Sequence, residues 1–288
     1  MENKPKEVSE NWTIIVKPST NWFDLQLKDV WRYRDLMMLF VKRDFVSIYK
    51  QTVLGPMWFF IQPLLTTIMF MVVFGSIAKI PTDGIPSPLF YLSGLTVWNY
   101  FATSLNKTSG TFITNAGIFG KVYFPRLVSP ISMIISSIIN FCFQFLLFIL
   151  FISYFLLFKG FQFHLSGYLL LIPVLIVIMG GLALGFGIII SSLTTKYRDL
   201  SYLVNFGIQL FMYLTPVVYP LSIVGGRKRL LILANPMTSV TESFRYAFFP
   251  RGEFQWKHLE YSFVFMLVFL FIGIILFNKT EKNFMDTV

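Results

Sequence analysis

Long apolar runs separated by short polar connections occupy the chain from residue 53 onward. A helix needs about 20 apolar residues to cross the hydrocarbon core of a bilayer. Six runs reach or approach this length, at 53–77, 89–105, 131–158, 168–193, 200–218 and 261–277. The second, fifth and sixth are close to the minimum length. The pattern predicts an all-α membrane protein in which residues 53–288 form a domain with six transmembrane helices.

The segment before the first run has a different pattern. If it forms a helix with 100° per residue, most of its charged side chains fall within an arc of roughly 140° and its apolar side chains lie opposite. The arc contains Lys28, Asp29, Arg32, Asp35, Lys42, Arg43 and Lys50. We predict that 28–52 is an amphipathic interfacial helix on the inner membrane surface. Residues 1–27 are polar and lack the apolar run of a signal peptide, so they are expected to be a cytoplasmic tail.

The connection at 219–260 is the longest between predicted spans. Its apolar part at 229–234 is too short to cross a bilayer, and Asn235-Pro236 disfavours a helix running through that point. The spacing of Ser239 and Glu242 is typical of a capping box at a helix N-terminus. These features predict two short outer re-entrant helices between spans five and six. A pair of ordinary interfacial helices fits the same pattern equally well.

Composition supports the membrane assignment and limits the partners. Hydrophobic residues make up 55% of the 288 residues and charged residues 13%, against about 25% in soluble proteins. The basic residues that give the net charge of +10 border the apolar runs, so we expect anionic lipid and no nucleic acid as partner. Cys142 is the single cysteine and His164 is far from His258 in sequence, so neither an internal disulfide nor a metal site is predicted.

The distribution of Lys and Arg predicts the orientation. With the N-terminus inside, the cytoplasmic parts contain 16 of these residues and the outer parts contain 8. Since positive charge accumulates on the cytoplasmic side, both termini are expected to be cytoplasmic. Asp199 is the only carboxylate between Asp83 and Glu242. Because ion-coupled transporters use carboxylates inside the membrane, transport by this chain would need another source of energy.

The connection at 106–126 faces the cytoplasm in this orientation. Gly120-Lys121 resembles part of a phosphate-binding loop, but Asn115 and Val122 stand where that motif requires glycine and Ser or Thr. The sequence therefore contains no nucleotide-binding motif there. Val122, Tyr123 and Phe124 place three apolar side chains in a water-facing connection, which indicates a partner surface.

Aromatic side chains cluster in the first two predicted spans. Trp58, Phe59, Tyr91 and Trp98 could line a path for sugars, whose C–H faces stack on rings. An interfacial aromatic belt explains several of them equally well. The small residues of GGLALGFG at 180–187 favour close packing of the fourth span against its neighbours.

Several short motifs follow one another in a fixed order. They are YKQTVLGPMW at 49–58, QP at 62–63, GLTVW at 94–98, KVYFPR at 121–126, YRD at 197–199, TPVVY at 215–219, NP at 235–236 and ESFR at 242–245. Together they resemble the membrane (permease) subunit of bacterial ABC exporters of polysaccharides such as O-antigen, capsule and teichoic acid. The resemblance implies a homodimer of six-span permeases bound to two separate ATP-binding subunits. It also implies that the partner subunit binds ATP and Mg, so this chain has no cofactor and is not an enzyme.

The resemblance also assigns roles to residues and a cargo. It implies an undecaprenyl-diphosphate-linked, O-antigen-like polysaccharide moving from the cytoplasm across the bacterial inner membrane. Coupling to the ATPase would involve Gly117, Gly120, Lys121, Val122, Tyr123, Phe124 and Arg126. The outer gate at 219–260 and just before it would involve Pro216, Tyr219, Asn235, Pro236, Glu242 and Arg245. From their position beside the first span, the candidates for binding the substrate headgroup are Lys42, Arg43, Tyr49 and Lys50.

Two other functions remain compatible with parts of the sequence. One is an ABC permease of the same architecture that exports drugs or lipids. The other is a membrane glycosyltransferase or acyltransferase, which is disfavoured because the chain has no Asp-x-Asp pair and no histidine beside an acidic partner in sequence.

Overall fold

The computed structural model describes residues 27–50, 52–161, 166–197 and 199–284. Within these ranges the chain is helical and contains no β-strand. The helices are α1 (Leu27–Arg32), α2 (Arg34–Tyr49), α3 (Trp58–Phe70), α4 (Ser87–Ser109), α5 (Thr111–Phe119), α6 (Val128–Lys159), α7 (Ile172–Thr194), α8 (Leu200–Tyr213), α9 (Gly226–Leu233), α10 (Pro236–Phe248) and α11 (Trp256–Phe284). The all-α prediction is confirmed for the described residues.

Within the described ranges, four stretches are long and apolar enough to cross a membrane. They are Gly55–Ile77, Val128–Lys159, Gly167–Thr194 and Trp256–Glu281, and they correspond to the first, third, fourth and sixth predicted spans. The first combines the 3-10 turn Gly55–Met57, α3 and the π-helical turn Met71–Ile77. The sixth is longer than the predicted 261–277, because α11 continues at both ends.

The second and fifth predicted spans are helices that lack the length or the apolar composition of these four. α4 has 23 residues and is about 35 Å long, but it contains buried polar side chains including Ser93, Thr96, Ser104 and Thr108. It lies at the centre of the molecule, packed against α3, α6, α7, α8 and α10. α8 has 14 residues and is about 21 Å long, shorter than a bilayer core of about 30 Å. Length and composition therefore identify four spans among the described residues.

The N-terminal segment differs from the prediction in two ways. The single amphipathic helix is divided into α1 and α2 by a turn at Tyr33. Its apolar side chains Val30, Met37, Phe40 and Val41 are buried within the protein, and α2 packs on α6. These four side chains are therefore covered by the chain itself, whereas Trp31, Met38 and Leu39 remain exposed, and the position of the segment on the membrane surface stays a prediction.

α7 is packed closely on two sides, as its glycines predict. A Cβ atom added at Gly185 would lie 3.0 Å from the backbone nitrogen of Leu270 in α11. On the other side, Gly187 leaves room for Thr108 of α4, whose Oγ1 donates to the carbonyl oxygen of Ala183 at 3.2 Å. Small residues thus allow backbone-to-backbone contact between the central helices.

Residues 219–260 contain the two short helices that were predicted, α9 and α10. The predicted capping box formed by Ser239 and Glu242 is wrong, however. α10 begins at Pro236, and its N-cap is Asn235, whose side-chain oxygen accepts a hydrogen bond from the backbone nitrogen of Met237 at 2.9 Å. Ser239 lies inside the helix, since proline at the first position already starts it.

Candidate functional site

The residues predicted to form an outer gate are brought together around one arginine. The Arg245 side chain donates from Nη1 to Oε1 of Glu242 at 2.7 Å and from Nη2 to the carbonyl oxygen of Pro216 at 2.9 Å. Its guanidinium carbon also lies 3.9 Å from the ring centroid of Phe90. Arg245 is 2% exposed and Glu242 is 5% exposed. One buried cation therefore connects α10, α4 and the segment that follows α8.

A second set of hydrogen bonds joins the two proline motifs. The Asn235 amide nitrogen donates to Oγ1 of Thr215 at 2.9 Å and to the carbonyl oxygen of Leu214 at 3.2 Å. Asn235-Pro236 and Thr215-Pro216, which are 20 residues apart in sequence, thus form one unit. We call Pro216, Asn235, Pro236, Glu242 and Arg245 the gate cluster. Tyr219 lies beside it and donates from Oη to the carbonyl oxygen of Tyr213 at 3.1 Å.

The electrostatics of the gate cluster depend on this pairing. Burial raises the pKa of the Glu242 carboxyl, and the Arg245 guanidinium opposes that rise by stabilising the carboxylate. Removing one member of a buried ion pair is costly because it leaves the other charge unpaired. The pair is therefore expected to fix the arrangement of α10 on α4.

Sequence reasoning missed two members of this site. Phe90 provides the ring beneath Arg245, and Gly94 provides the space, since a Cβ at Gly94 would lie 3.2 Å from Nη2 of Arg245 and 2.9 Å from the carbonyl oxygen of Val217. The glycine of the GLTVW motif was the available signal. A glycine is needed there because the backbone of Val217 approaches closely, and only the structure shows that approach.

The predicted coupling loop at 106–126 is mostly helical. It contains the end of α4, all of α5 and a turn leading to α6. Gly117, Gly120 and Lys121 are exposed, and a Cβ at Gly117 would meet no atom within 4 Å. Packing within this chain therefore gives no reason for a glycine at 117.

The three apolar residues of the turn do not behave alike. Val122 is 57% exposed and Tyr123 is 66% exposed, as expected for a partner surface. Phe124 is 4% exposed and lies between Phe40 of α2 and Phe119 of α5, with ring centroids 5.7 Å away in each case. The expectation of three exposed apolar side chains is corrected: Phe124 anchors the turn to the protein interior.

Arg126 also points into the molecule. Its Nη1 donates to the carbonyl oxygen of Glu281 at 2.7 Å, and its Nε lies 3.6 Å from Oε1 of the same residue. The guanidinium carbon is 5.6 Å from the ring centroid of Phe119. Arg126 is therefore held at the end of α11, and its expected contact with an ATPase stays a prediction.

The candidates for headgroup binding lie along α2 and just after it. Lys42 and Lys50 are exposed. Arg43 is hydrogen-bonded to the neighbouring Asp44 at 2.8 Å and lies over the ring of Phe40 at 4.9 Å. Tyr49 is the last residue of α2, and its side chain lies outside the described part of the structure.

The aromatic residues proposed to line a substrate path fall into two groups. Tyr91 and Trp98 are buried in the core of the chain, with Trp98 packed on Phe211. They do not line an open path within the described chain, which corrects that interpretation. Phe59 is stacked on Phe143 with ring centroids 4.9 Å apart, and Trp58 remains half-exposed.

Comparison with known proteins places the chain in a family. The family model described as ABC-2 type transporter matches residues 35–249. An O-antigen export system permease protein RfbA of Klebsiella pneumoniae is 30% identical over 253 residues, covering 88% of this chain and 94% of the relative. RfbA of Myxococcus xanthus is 24% identical, covering 91% and 98%. The polysialic acid transport protein KpsM of Escherichia coli is 25% identical, covering 80% and 87%. With its apolar helices and this match, the chain is a membrane transport protein that belongs to the ABC-2 type transporter family.

Proposed function

We propose that this chain is the permease subunit of an ATP-driven exporter that moves an undecaprenyl-diphosphate-linked, O-antigen-like polysaccharide from the cytoplasm across the bacterial inner membrane. The observation that carries the proposal is the alignment with relatives named O-antigen export system permease, over 88% to 91% of the chain. The relatives named for polysialic acid transport align over 80%. The wider match favours an O-antigen-like cargo.

The source of energy is proposed to be a separate ATP-binding subunit. Between Asp83 and Glu242 the chain has one carboxylate, Asp199, so the second to fifth predicted spans lack the intramembrane acids that ion-coupled transporters use. The exposed Val122 and Tyr123 lie beside the open surface at Gly117, which gives a partner an apolar contact on α5 and the following turn. ATP and Mg would be bound by that partner.

The assembly is proposed to be a homodimer carrying two ATP-binding subunits. α8 has a single buried residue, Ile208, and presents Tyr202, Leu203 and Phe206 on its exposed surface. A second copy related by two-fold symmetry would cover such a surface and help to enclose a wide path. In this assembly α4 and α8 would serve as spans two and five. Both termini would be cytoplasmic, and α9 and α10 would dip into the outer leaflet as re-entrant helices.

Substrate would be collected at the cytoplasmic face. Lys42 and Lys50 are exposed near the start of the first span, where they can attract the diphosphate of a lipid carrier or anionic lipid. Arg43 and Tyr49 are the weaker candidates, since Arg43 is already paired with Asp44. Trp58 remains the best candidate for a ring that contacts sugar.

The test is export in cells from which the chromosomal gene has been deleted. Surface polysaccharide and the intracellular pool of lipid-linked polymer would be measured with and without a plasmid copy of the wild-type chain. We expect the surface polymer to disappear and the lipid-linked pool to rise in the deletion strain, with both restored by the plasmid. Unchanged surface and lipid-linked pools would refute the polysaccharide proposal and favour a drug or lipid substrate.

A further inference from the structure

α11 contacts both candidate sites, one near each of its ends. It contains 29 residues and is about 44 Å long. Near its C-terminal end it meets the coupling segment, residues 106–126, and near its N-terminal end it meets the gate cluster. The helix therefore connects the two sites directly.

The contact with the coupling segment uses two residues one turn apart on α11. Glu281 accepts the hydrogen bond from Nη1 of Arg126 at 2.7 Å through its backbone carbonyl. Phe277, four residues earlier on the same face, is fully buried and stacks on Phe112 of α5 with ring centroids 4.5 Å apart. The turn and α5 are therefore each fixed to α11.

The contact with the gate cluster uses neighbouring residues near the other end. Oγ of Ser262 donates to the carbonyl oxygen of Pro236 at 2.7 Å. Oη of Tyr261 donates to the carbonyl oxygen of Ala234 at 2.9 Å. Both acceptors flank Asn235, the N-cap of the helix that carries Glu242 and Arg245. A displacement of α11 would reach α10 at its first turn.

Between these ends, α11 has little freedom to move without its neighbour. A Cβ at Gly273 would lie 2.9 Å from the carbonyl oxygen of Gly185 in α7, so the two backbones are in direct contact there. Close-packed backbones cannot absorb a displacement by changing side-chain rotamers, and packed interfaces respond as units. α11 and α7 are thus expected to shift together.

We propose that α11 transmits the movement of the coupling segment to the gate cluster, with Arg126 as the positioning residue at one end and Tyr261 and Ser262 at the other. The proposal rests on the proposed function in one respect, namely that an ATPase drives the coupling segment. The ATPase pushes the turn at 122–123, Arg126 carries α11 with it, and α11 displaces the start of α10. The gate cluster opens when the contacts of Arg245 rearrange.

The test uses the complete complex of permease and ATPase in lipid nanodiscs. Cys142→Ser removes the single cysteine, and Leu231→Cys on α9, at a side chain that is 74% exposed, receives a nitroxide label. The spectrum is compared without nucleotide and with ATP plus vanadate. ATP hydrolysis and the thermal stability of the complex are measured on the same samples.

Arg126→Gln is expected to reduce the nucleotide-dependent spectral change by about tenfold, because it removes a charge-assisted hydrogen bond. ATP hydrolysis should continue. Arg126→Lys keeps a charged donor and should restore part of the change, and Lys159→Gln, which removes an exposed charge at the end of α6, should leave it at the wild-type level. At the outer end, Tyr261→Phe combined with Ser262→Ala should also weaken the change.

A full spectral change in Arg126→Gln would overturn the proposal. If that variant does not assemble, the paired changes at Tyr261 and Ser262 decide the matter, and an intact response there would overturn it. The two ends can also be combined, and the triple change should lose little more than Arg126→Gln alone, since both ends act on one helix. A wild-type complex that gives the normal spectral response but supports no polysaccharide export would instead refute the proposed cargo.

Discussion

Replacing Gly94 with alanine gives a direct test of the gate cluster. The added Cβ would lie 2.9 Å from the carbonyl oxygen and 3.1 Å from the Cα of Val217, and 3.2 Å from Nη2 of Arg245. The first two are backbone atoms, which cannot turn aside as a flexible side chain can. The segment that contains Pro216 must therefore move away from α4, and the Arg245 hydrogen bond to Pro216 is stretched.

The size of the effect follows from opposing contributions. Overpacking costs about 1–3 kcal/mol, and weakening a hydrogen bond to a charged group costs up to about 2 kcal/mol. Alanine returns about 1 kcal/mol through its better helix propensity. The sum is a loss of about 2 kcal/mol in the stability of the packed state. Gly75→Ala is the matched control. Its added Cβ would face α4, the helix that carries Gly94, and its nearest neighbour, Oη of Tyr91, would lie at an ordinary 3.7 Å.

The assay is thermal unfolding of the purified permease in one detergent, followed by tryptophan fluorescence, together with export in cells. Gly94→Ala should unfold at a lower temperature than the wild type and export less polymer, whereas Gly75→Ala should match or exceed the wild type. Equal melting temperatures and equal export for the two variants would refute the packing argument.

The remaining predictions concern the cytoplasmic face. Val122→Ser combined with Tyr123→Ser should abolish co-purification of the ATPase and export while leaving membrane insertion intact; full ATPase recovery would show that the turn is only a connection. Phe124→Ser should instead destabilise the permease itself by about 3 kcal/mol, measured by thermal unfolding. Alanine at Lys42, Arg43 and Lys50 together should lower export while basal ATP hydrolysis of the complex stays nearly unchanged, and wild-type export would eliminate a headgroup role. The isolated chain should not bind ATP in a calorimetric titration, and micromolar affinity would contradict this.

Local patterns in the sequence determined the helical class and the positions of most spans. The runs that became α6 and α7 are predictable because a bilayer requires long apolar helices. Asn235-Pro236 also carries a helix-start signal, since proline fits the first helical position and asparagine caps it, but the capping-box spacing predicted the start at Ser239 instead. For α8 the apolar pattern predicted a span, 200–218, that is longer than the helix, because TPVVY at 215–219 is apolar yet not helical.

Tertiary structure decided which apolar and charged side chains face outward. Val122, Tyr123 and Phe124 are adjacent and all carry large, mainly apolar side chains, yet Phe124 is the one that packs on Phe40 and Phe119. Likewise, nothing near Arg126 in sequence points to Glu281, which is 155 residues away. The physical reason is that lipid and protein interiors are both apolar. An apolar pattern shows that a face avoids water, and only the packing of distant helices determines whether protein, lipid or a partner covers it.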